Sequence, residues 1–312
     1  MPVRYENLSL LLIFLLLVIP LQLAMAGIFG DDSSADVDHR VPLGSQEWWN
    51  MRMGDWSLGG GTIHCDGRQR GSAVILATQN IGPEPPGLVL ATAAHVLFDL
   101  EAGRLFEHCS FHYLGLDALP GYQAEIDLST ASLGRFNPDE PLESWQFGQQ
   151  DWAFLHVPAS IPAAGHGMRI RPVAWDALVQ NSDSGIPARL LAWSVRHSAI
   201  SLSVDCHAAE SRPGDLGGGT WPGQLLDDCD SGQGASGGGL LATLGQEVVL
   251  VGIRTGSHWD ASIYPTARFP DGPPPGARWD VMSNTNFARA IDGGLISALR
   301  AFLIRLQQDR SG

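Results

Sequence analysis

A serine set among glycines is the residue of this chain best suited to nucleophilic chemistry. Ser236 lies in the segment Gly234-Ala235-Ser236-Gly237-Gly238. Glycines let the backbone turn sharply and approach a bound substrate closely, with amides free to point at a developing oxyanion. Because glycine-rich turns are also common in β proteins, a catalytic serine needs further support from a base and a carboxylate.

Two other segments could supply that base and that carboxylate. His95 ends the apolar segment Leu90-Ala91-Thr92-Ala93-Ala94-His95, and Asp151 lies where a polar loop enters the apolar run 152–155. A carboxylate in such a place can be partly buried and can orient an imidazole. Each residue also has an ordinary structural interpretation: a core histidine, a turn cap and a turn residue. The three together, in this order, favour catalysis.

Together the three segments resemble the chymotrypsin-like serine proteases. The resemblance implies that Ser236 is the nucleophile, that His95 is the general base and then the acid, and that Asp151 orients the imidazole. It also implies an oxyanion hole made by the backbone amides of Gly234 and Ser236. Shorter matches are similar to the bacterial glutamyl endopeptidases: Asp38-His39-Arg40-Val41, Cys229-Asp230-Ser231, Val251-Gly252-Ile253, and a late Asn at 284 or 286.

The function expected from this resemblance is that of a serine endopeptidase, which hydrolyses peptide bonds of peptide or protein substrates through an acyl-enzyme without a cofactor. The alternative is a catalytically silent relative that binds peptides or proteins in the same cleft. Another acyl hydrolase would more naturally have the order Ser, Asp, His.

Substrate selection is the least determined feature. Asp230 lies six residues before Ser236, the spacing at which trypsin-like enzymes hold the acid that selects Lys or Arg. In the glutamyl endopeptidases, resemblance instead implies acid recognition at the positions of Ser231 and Arg254. Arg254 could bind a substrate carboxylate through two charge-assisted hydrogen bonds, or it could pair with Asp230. Thr255 and Gly256 are expected to pair with the substrate backbone.

The elements that must position these residues are short strands. Abundant Gly and Pro, 37 and 20 of 312 residues, and short apolar runs between turn signals predict an all-β architecture. With the resemblance, this becomes two packed antiparallel six-stranded β-barrels with the site in the cleft between them. Apolar residues spaced by three or four from Phe287 onward predict a C-terminal amphipathic helix, expected to pack against the second β-unit. The predicted strands are 72–77, 88–92, 124–128, 152–156, 188–193, 202–206, 240–243 and 248–253.

The expected domain organisation starts with an exported leader. Residues 1–26 resemble a signal peptide with Arg4, an apolar core and the ending Ala24-Met25-Ala26. An acidic linker or propeptide is predicted over 27–45, the first barrel over 46–160, and the second barrel with the helix over 161–312. We therefore expect a secreted or periplasmic protein without a stable membrane span after signal cleavage, although an uncleaved anchor is the alternative.

Four cysteines fit an oxidising compartment, where they could form two disulfides. Three pairings are possible; the short loop between Cys206 and Cys229 favours that pair and leaves Cys65 with Cys109. Histidines adjoin three of these cysteines, but no CxxC spacing supports a metal site. The cluster of Asp227, Asp228 and Asp230 does not match an EF-hand loop.

The net charge of −14 argues against nucleic acid as a partner, because phosphate binding requires clustered positive charge. We expect a monomer.

Overall fold

The computed structural model describes residues 29–30, 38–51, 55–113, 121–137, 145–158, 169–178, 185–218, 221–265, 267–268, 273–274 and 276–310. The predicted signal peptide (1–26) and residues 27–28 and 31–37 of the predicted acidic linker lie outside these residues.

Nineteen strands and four α-helices form within the described residues. The strands are β1 (Phe29–Gly30), β2 (Arg40–Pro42), β3 (Gly60–Cys65), β4 (Arg68–Ile75), β5 (Leu88–Thr92), β6 (Phe98–Asp99), β7 (Arg104–Leu105), β8 (Cys109–Tyr113), β9 (Tyr122–Glu125), β10 (Ser132–Leu133), β11 (Ala153–Val157), β12 (Arg171–Pro172), β13 (Ile186–Ser194), β14 (Ala199–Glu210), β15 (Gln224–Asp227), β16 (Gly239–Leu244), β17 (Glu247–Trp259), β18 (Ala277–Arg278) and β19 (Asn284–Ala290). The α-helices are α1 (Gln46–Asn50), α2 (Trp145–Gln150), α3 (Asp215–Gly218) and α4 (Gly293–Gln308). Short 3₁₀ turns occupy Asp55–Leu58, Ala94–Leu97, Leu128–Thr130 and Trp175–Ala177.

The first half of the chain folds into one curled antiparallel sheet. Its strand order is β10-β11-β5-β4-β3-β8-β9. Strands β5 and β11 are fully buried, and their runs of Leu, Val and Ala suit a strand with both faces covered. Between its two outer strands no pairing forms in the described residues, so this sheet is a half-barrel with one apolar face to be covered.

The second half closes on itself. Strands β13, β14, β15, β19, β17 and β16 pair in that order, and β16 returns to β13, which completes a six-stranded antiparallel barrel. Closure removes the free sheet edges that would otherwise template aggregation. Two further strands attach to it: β12 runs parallel to β17, and β2 pairs antiparallel with β14.

The C-terminal helix α4 is confirmed, but it begins after the predicted start and packs elsewhere. Residues 284–290 form strand β19, and Asp292 caps the helix by accepting a hydrogen bond from the Leu295 N–H at 2.8 Å. Its buried side chains belong to the same core cluster as the first sheet, with Phe302 against Phe154 at 6.4 Å between ring centroids. The expected packing on the second barrel is therefore wrong. That barrel fills its own interior, whereas the open sheet has an apolar face that the helix covers.

The prediction of an all-β, chymotrypsin-like double barrel with a C-terminal helix is confirmed. The boundary of a propeptide stays a prediction. Part of the predicted linker, strand β2, pairs with β14 and places Val41 in the core.

Two disulfides join the strands. Cys65–Cys109 links β3 to β8, and Cys206–Cys229 links β14 to the loop that precedes Ser236. Such bonds are consistent with an extracellular protein. No helix in the described part of the chain has the length and apolar character needed to cross a bilayer.

Candidate active site

His95 and Asp151 meet because their strands are neighbours. Strand β5 pairs with β11 so that Thr92 lies opposite Ala153. His95 follows Thr92 in the 3₁₀ turn 94–97, and Asp151 comes two residues before Ala153. The pairing register therefore brings residues 56 apart in sequence to the same end of the two strands.

The Asp151 carboxylate holds His95 at two points. Oδ1 accepts the backbone N–H of His95 at 2.8 Å, and Oδ2 accepts the ring Nδ1–H at 2.6 Å. Asp151 is 0 % exposed and the His95 side chain is 12 % exposed. Because an ionised carboxylate can only accept, it fixes the tautomer with hydrogen on Nδ1 and leaves Nε2 as the basic atom.

The backbone of Ser236 comes close to Val96, the residue that follows His95. The Ser72 N–H donates to the Ser236 carbonyl oxygen at 2.7 Å. A Cβ atom built on Gly71 would lie 2.6 Å from that same oxygen and 2.6 Å from Val96 Cγ2. Ser236 and the residue after His95 thus flank one glycine, at the junction of the sheet and the barrel.

Gly237 admits no side chain. Its φ is +84°, and a Cβ atom there would lie 2.1 Å from Thr92 Oγ1 and 2.1 Å from the Ser72 carbonyl oxygen. The loop that carries Ser236 therefore approaches the strand that leads to His95 as closely as the backbone permits. On its other side, the Gly237 N–H donates to the Arg254 carbonyl oxygen at 2.8 Å.

Two amides of this loop are available to a ligand. Within the described residues, the backbone N–H groups of Gly234 and Ser236 donate no hydrogen bond. The neighbouring peptide groups are fixed: Ala235 N–H donates to the Gly232 carbonyl at 3.0 Å, and Ser72 Oγ–H donates to the Gly234 carbonyl at 2.7 Å. Such an arrangement presents preorganised donors beside a serine, as stabilisation of an oxyanion requires.

Ser72 is a site residue that the sequence reasoning missed. Its hydroxyl donates to Gly234 and accepts the Trp193 N–H at 2.9 Å, so one side chain of the first sheet ties the loop to the second barrel. A single serine in a strand carries no sequence signal for this role.

The Asp230 carboxylate is buried against the N-terminal segment. Both of its carboxylate oxygens accept backbone N–H groups of the N-terminal segment, Oδ1 from Phe29 at 2.8 Å and Oδ2 from His39 at 2.7 Å. The side chain is 1 % exposed, and burial raises the pKa of this carboxyl. The expectation that Asp230 binds substrate conflicts with these contacts, because its acceptors are already used.

Arg254 also differs from its predicted role. Its Nη2 lies 2.6 Å from Asp227 Oδ1, and the two side chains are 1 % and 0 % exposed. The guanidinium therefore forms its ion pair with a different buried acid, Asp227, and not with Asp230. A sequence could not have chosen between two aspartates three residues apart.

The remaining predicted contacts are buried at the same end of the barrel. Thr255 Oγ1 lies 3.4 Å from the Phe287 carbonyl, and Gly256 pairs with Phe287 past a bulge in β17. Ser231 is buried, and within the described residues its hydroxyl has no hydrogen-bond partner. Of the described side chains, no three from His, Cys, Asp and Glu converge as metal ligands.

Neither a protein-family model nor a curated protein matches the chain. Solved structures do match. One is the protease Anisep from Arthrobacter nicotinovorans, with 11 % identity, a TM-score of 0.49, and coverage of 79 % of this chain and 95 % of that one. Another is the thermostable serine protease AL20 from an extremophilic microorganism, with 14 % identity, a TM-score of 0.46, and coverage of 79 % and 97 %. At these values the likeness carries no conclusion about the chemistry of this chain.

Proposed function

We propose that this chain is a serine endopeptidase that cleaves peptide bonds through an acyl-enzyme, with His95, Asp151 and Ser236 as its triad. One observation carries the proposal: a fully buried carboxylate binds both the backbone and the ring of His95, and Val96, the next residue, lies near the Ser236 loop, in which two amides donate no hydrogen bond within the described residues. A core histidine or a turn cap would not require that combination.

The chemistry follows from the geometry. Ser236 Oγ attacks the carbonyl carbon of the scissile peptide, and its proton passes to His95 Nε2. The oxyanion that forms accepts hydrogen bonds from the amides of Gly234 and Ser236. As the C–N bond breaks, the imidazolium returns the proton to the leaving amine.

Water completes the cycle. It attacks the ester carbonyl on Ser236 while His95 takes its proton, and the acid product leaves as that proton returns to Oγ. Throughout, the Asp151 carboxylate stabilises the charged imidazolium and keeps its orientation.

The substrate is a peptide or protein whose backbone adds to strand β17 at Thr255 and Gly256, with Ser231 near the side chain before the scissile bond. The enzyme acts as an exported monomer. The segments 38–41, 229–231 and 251–253 favour the glutamyl-endopeptidase branch, whereas the buried Arg254–Asp227 pair removes the reason to expect an acidic substrate side chain.

The direct test is labelling with a fluorophosphonate probe, followed by cleavage of a peptide library. We expect wild type to be labelled, and Ser236→Ala and His95→Ala to lose both labelling and cleavage. Ser297→Ala and His108→Ala, at exposed positions, serve as matched controls and should behave as wild type. Folded wild type that binds peptides but neither labels nor cleaves would instead support the silent binding module.

A further inference from the structure

The N-terminal segment reaches the loop that carries the nucleophile. Asp230, in that loop, accepts the N–H groups of Phe29 and His39 at 2.8 Å and 2.7 Å. His39 Nδ1 lies 3.4 Å from the same carboxylate. Both carboxylate oxygens are thus satisfied by residues almost 200 positions away in sequence.

A second contact joins Arg40, the residue after His39, to Gly232, two residues after Asp230. Asp38 holds the Arg40 guanidinium in a two-point ion pair, with Nε at 2.7 Å from Oδ1 and Nη2 at 2.7 Å from Oδ2. The remaining nitrogen, Nη1, lies 2.9 Å from the place where a Cβ atom on Gly232 would be. Arg40 is therefore packed directly against the loop, and its orientation is fixed by Asp38.

The segment that supplies these contacts is itself anchored. Strand β2 pairs with residues 201–203 of β14, and the side chain of Val41 is buried in the core. The same strand β14 is linked to Cys229 by the Cys206 disulfide. Asp230 and Gly232 are thus held between a covalent link on one side and the N-terminal segment on the other.

The loop transmits this support to the candidate oxyanion hole. The Gly232 carbonyl accepts the Ala235 N–H at 3.0 Å, which fixes the turn between the amides of Gly234 and Ser236. A displacement of about 1 Å in such groups can cost about 100-fold in rate.

From these contacts we infer that Asp230 is a positioning residue, which, together with Arg40, uses the N-terminal segment to hold the amides of Gly234 and Ser236 in place. This inference rests on the proposed protease function. It assigns to Asp230 a role other than selecting a basic substrate side chain.

The two roles make opposite demands on the carboxylate. A substrate Lys or Arg could reach Asp230 only by displacing the N–H groups of Phe29 and His39. Each buried donor left unpaired would oppose the binding of that substrate. A positioning carboxylate needs no substrate contact, so its loss should affect every substrate alike.

The experiment compares wild type with Asp230→Asn and Arg40→Ala on peptides that differ only in the side chain before the scissile bond. The amide of Asn cannot accept both N–H groups, so we expect kcat to fall about 10- to 100-fold for all peptides. KM should change little and the order of preferred substrates should stay the same. Arg40→Ala should show the same pattern more weakly, and the double variant should fall short of the product of the single effects.

Hydrogen exchange of the intact protein gives a readout that does not depend on catalysis. In both variants, the segment 232–236 should exchange faster, because the Ala235 N–H loses the protection of its bond to the Gly232 carbonyl, while the amides of β5 and β11 keep their wild-type rates. Arg171→Ala, which removes an exposed ion pair with Glu247 on another edge of the barrel, is the matched control and should change neither kcat nor this exchange.

Three results would overturn the inference. They are a loss confined to peptides with Lys or Arg, an unchanged kcat, and unchanged exchange at residues 232–236. If wild type itself fails to cleave or label, the proposed function fails. The exchange measurement then still decides whether Asp230 positions the loop.

Discussion

The two halves of the molecule hold their parts of the site in different ways. In the first sheet, His95 and Asp151 sit at the ends of two paired strands, so the backbone ladder between β5 and β11 sets their separation. In the second barrel, Ser236 lies in a loop outside the strands. That loop is held by the Cys206–Cys229 disulfide and by a few contacts from distant segments, among them those of Ser72, His39 and Arg254.

Because of this difference, the two halves should respond differently to a single substitution. A strand ladder is shared by many hydrogen bonds, so one substitution leaves the His95–Asp151 geometry largely in place. A loop held by a few side chains loses its geometry when any one of them is removed. The rate of the proposed reaction should therefore be more sensitive to substitutions remote from the site in the second half of the chain than in the first.

The largest effect on kcat is expected at Asp151, the carboxylate that the first sheet places against His95. Asp151→Asn keeps the shape of the side chain but presents an amide donor to His95, so the wrong tautomer is favoured. We expect kcat to fall about 10⁴-fold with little change in KM. Steady-state kinetics checks this, with the exposed Asp176→Asn as control. A fall of less than about 10-fold would remove Asp151 from the triad.

The second-largest effect is expected when the buried ion pair between Arg254 and Asp227 is broken. Asp227→Asn leaves the Arg254 charge buried without its counter-charge, and we expect a loss of about 3–5 kcal/mol in the free energy of unfolding. Denaturant titration measures it. Glu247→Gln breaks the exposed pair with Arg171 and should cost no more than about 1 kcal/mol. Equal losses in the two variants would contradict the burial argument.

The two disulfides allow the two halves of the molecule to be compared directly. Sequence separations of 44 and 23 residues correspond to about 4 and about 3 kcal/mol of stabilisation in the chain-entropy model. Replacing Cys65 and Cys109 by serine should lower stability and leave kcat near wild type. Replacing Cys206 and Cys229 should lower both, because that bond adjoins the nucleophile loop. A similar kcat in the two double variants would show that the loop does not need its covalent link.

The smallest effect concerns two stacked histidines on the first sheet. His64 and His112 lie 3.8 Å apart between ring centroids. Burial lowers the pKa of both below the ordinary 6.5, and for His64 the neighbouring His112 charge lowers it further. The native state therefore binds fewer protons than the unfolded chain, and stability should fall as pH drops through about 6.5.

His112→Gln should flatten that pH dependence. The measurement is the melting temperature between about pH 7.5 and about pH 5, where the variant should lose less stability than wild type. His108→Gln, at an exposed position, controls for histidine replacement in general. A wild-type melting temperature that rises toward pH 5 would reverse the sign of this argument.

Much of the fold was predictable because its signals are local. The apolar runs at 88–92 and 152–156 became β5 and β11 within one residue. Eleven other strands had no comparable signal: seven of two or three residues (β1, β2, β6, β7, β10, β12 and β18) and four longer ones (β3, β8, β15 and β19). In β3 and β15, polar or glycine residues interrupt the apolar pattern, since neighbours rather than hydrophobicity bury them.

The helix shows the same limit. Spacing of apolar residues predicted α4 correctly, yet not the surface it covers. A periodic apolar face indicates that one side of a helix is buried, but it does not identify the surface that buries it. Here that surface is the apolar face of the open first sheet.

By itself, the sequence determined the strands with long apolar runs, the terminal helix and the order of His95, Asp151 and Ser236, because these depend on local residue patterns. Only the tertiary structure decided that Arg254 forms its ion pair with Asp227, and that Asp230 accepts hydrogen bonds from the N-terminal segment. The physical reason is that a buried charge pairs with whatever group packing brings within about 3 Å. Which group that is depends on the whole fold.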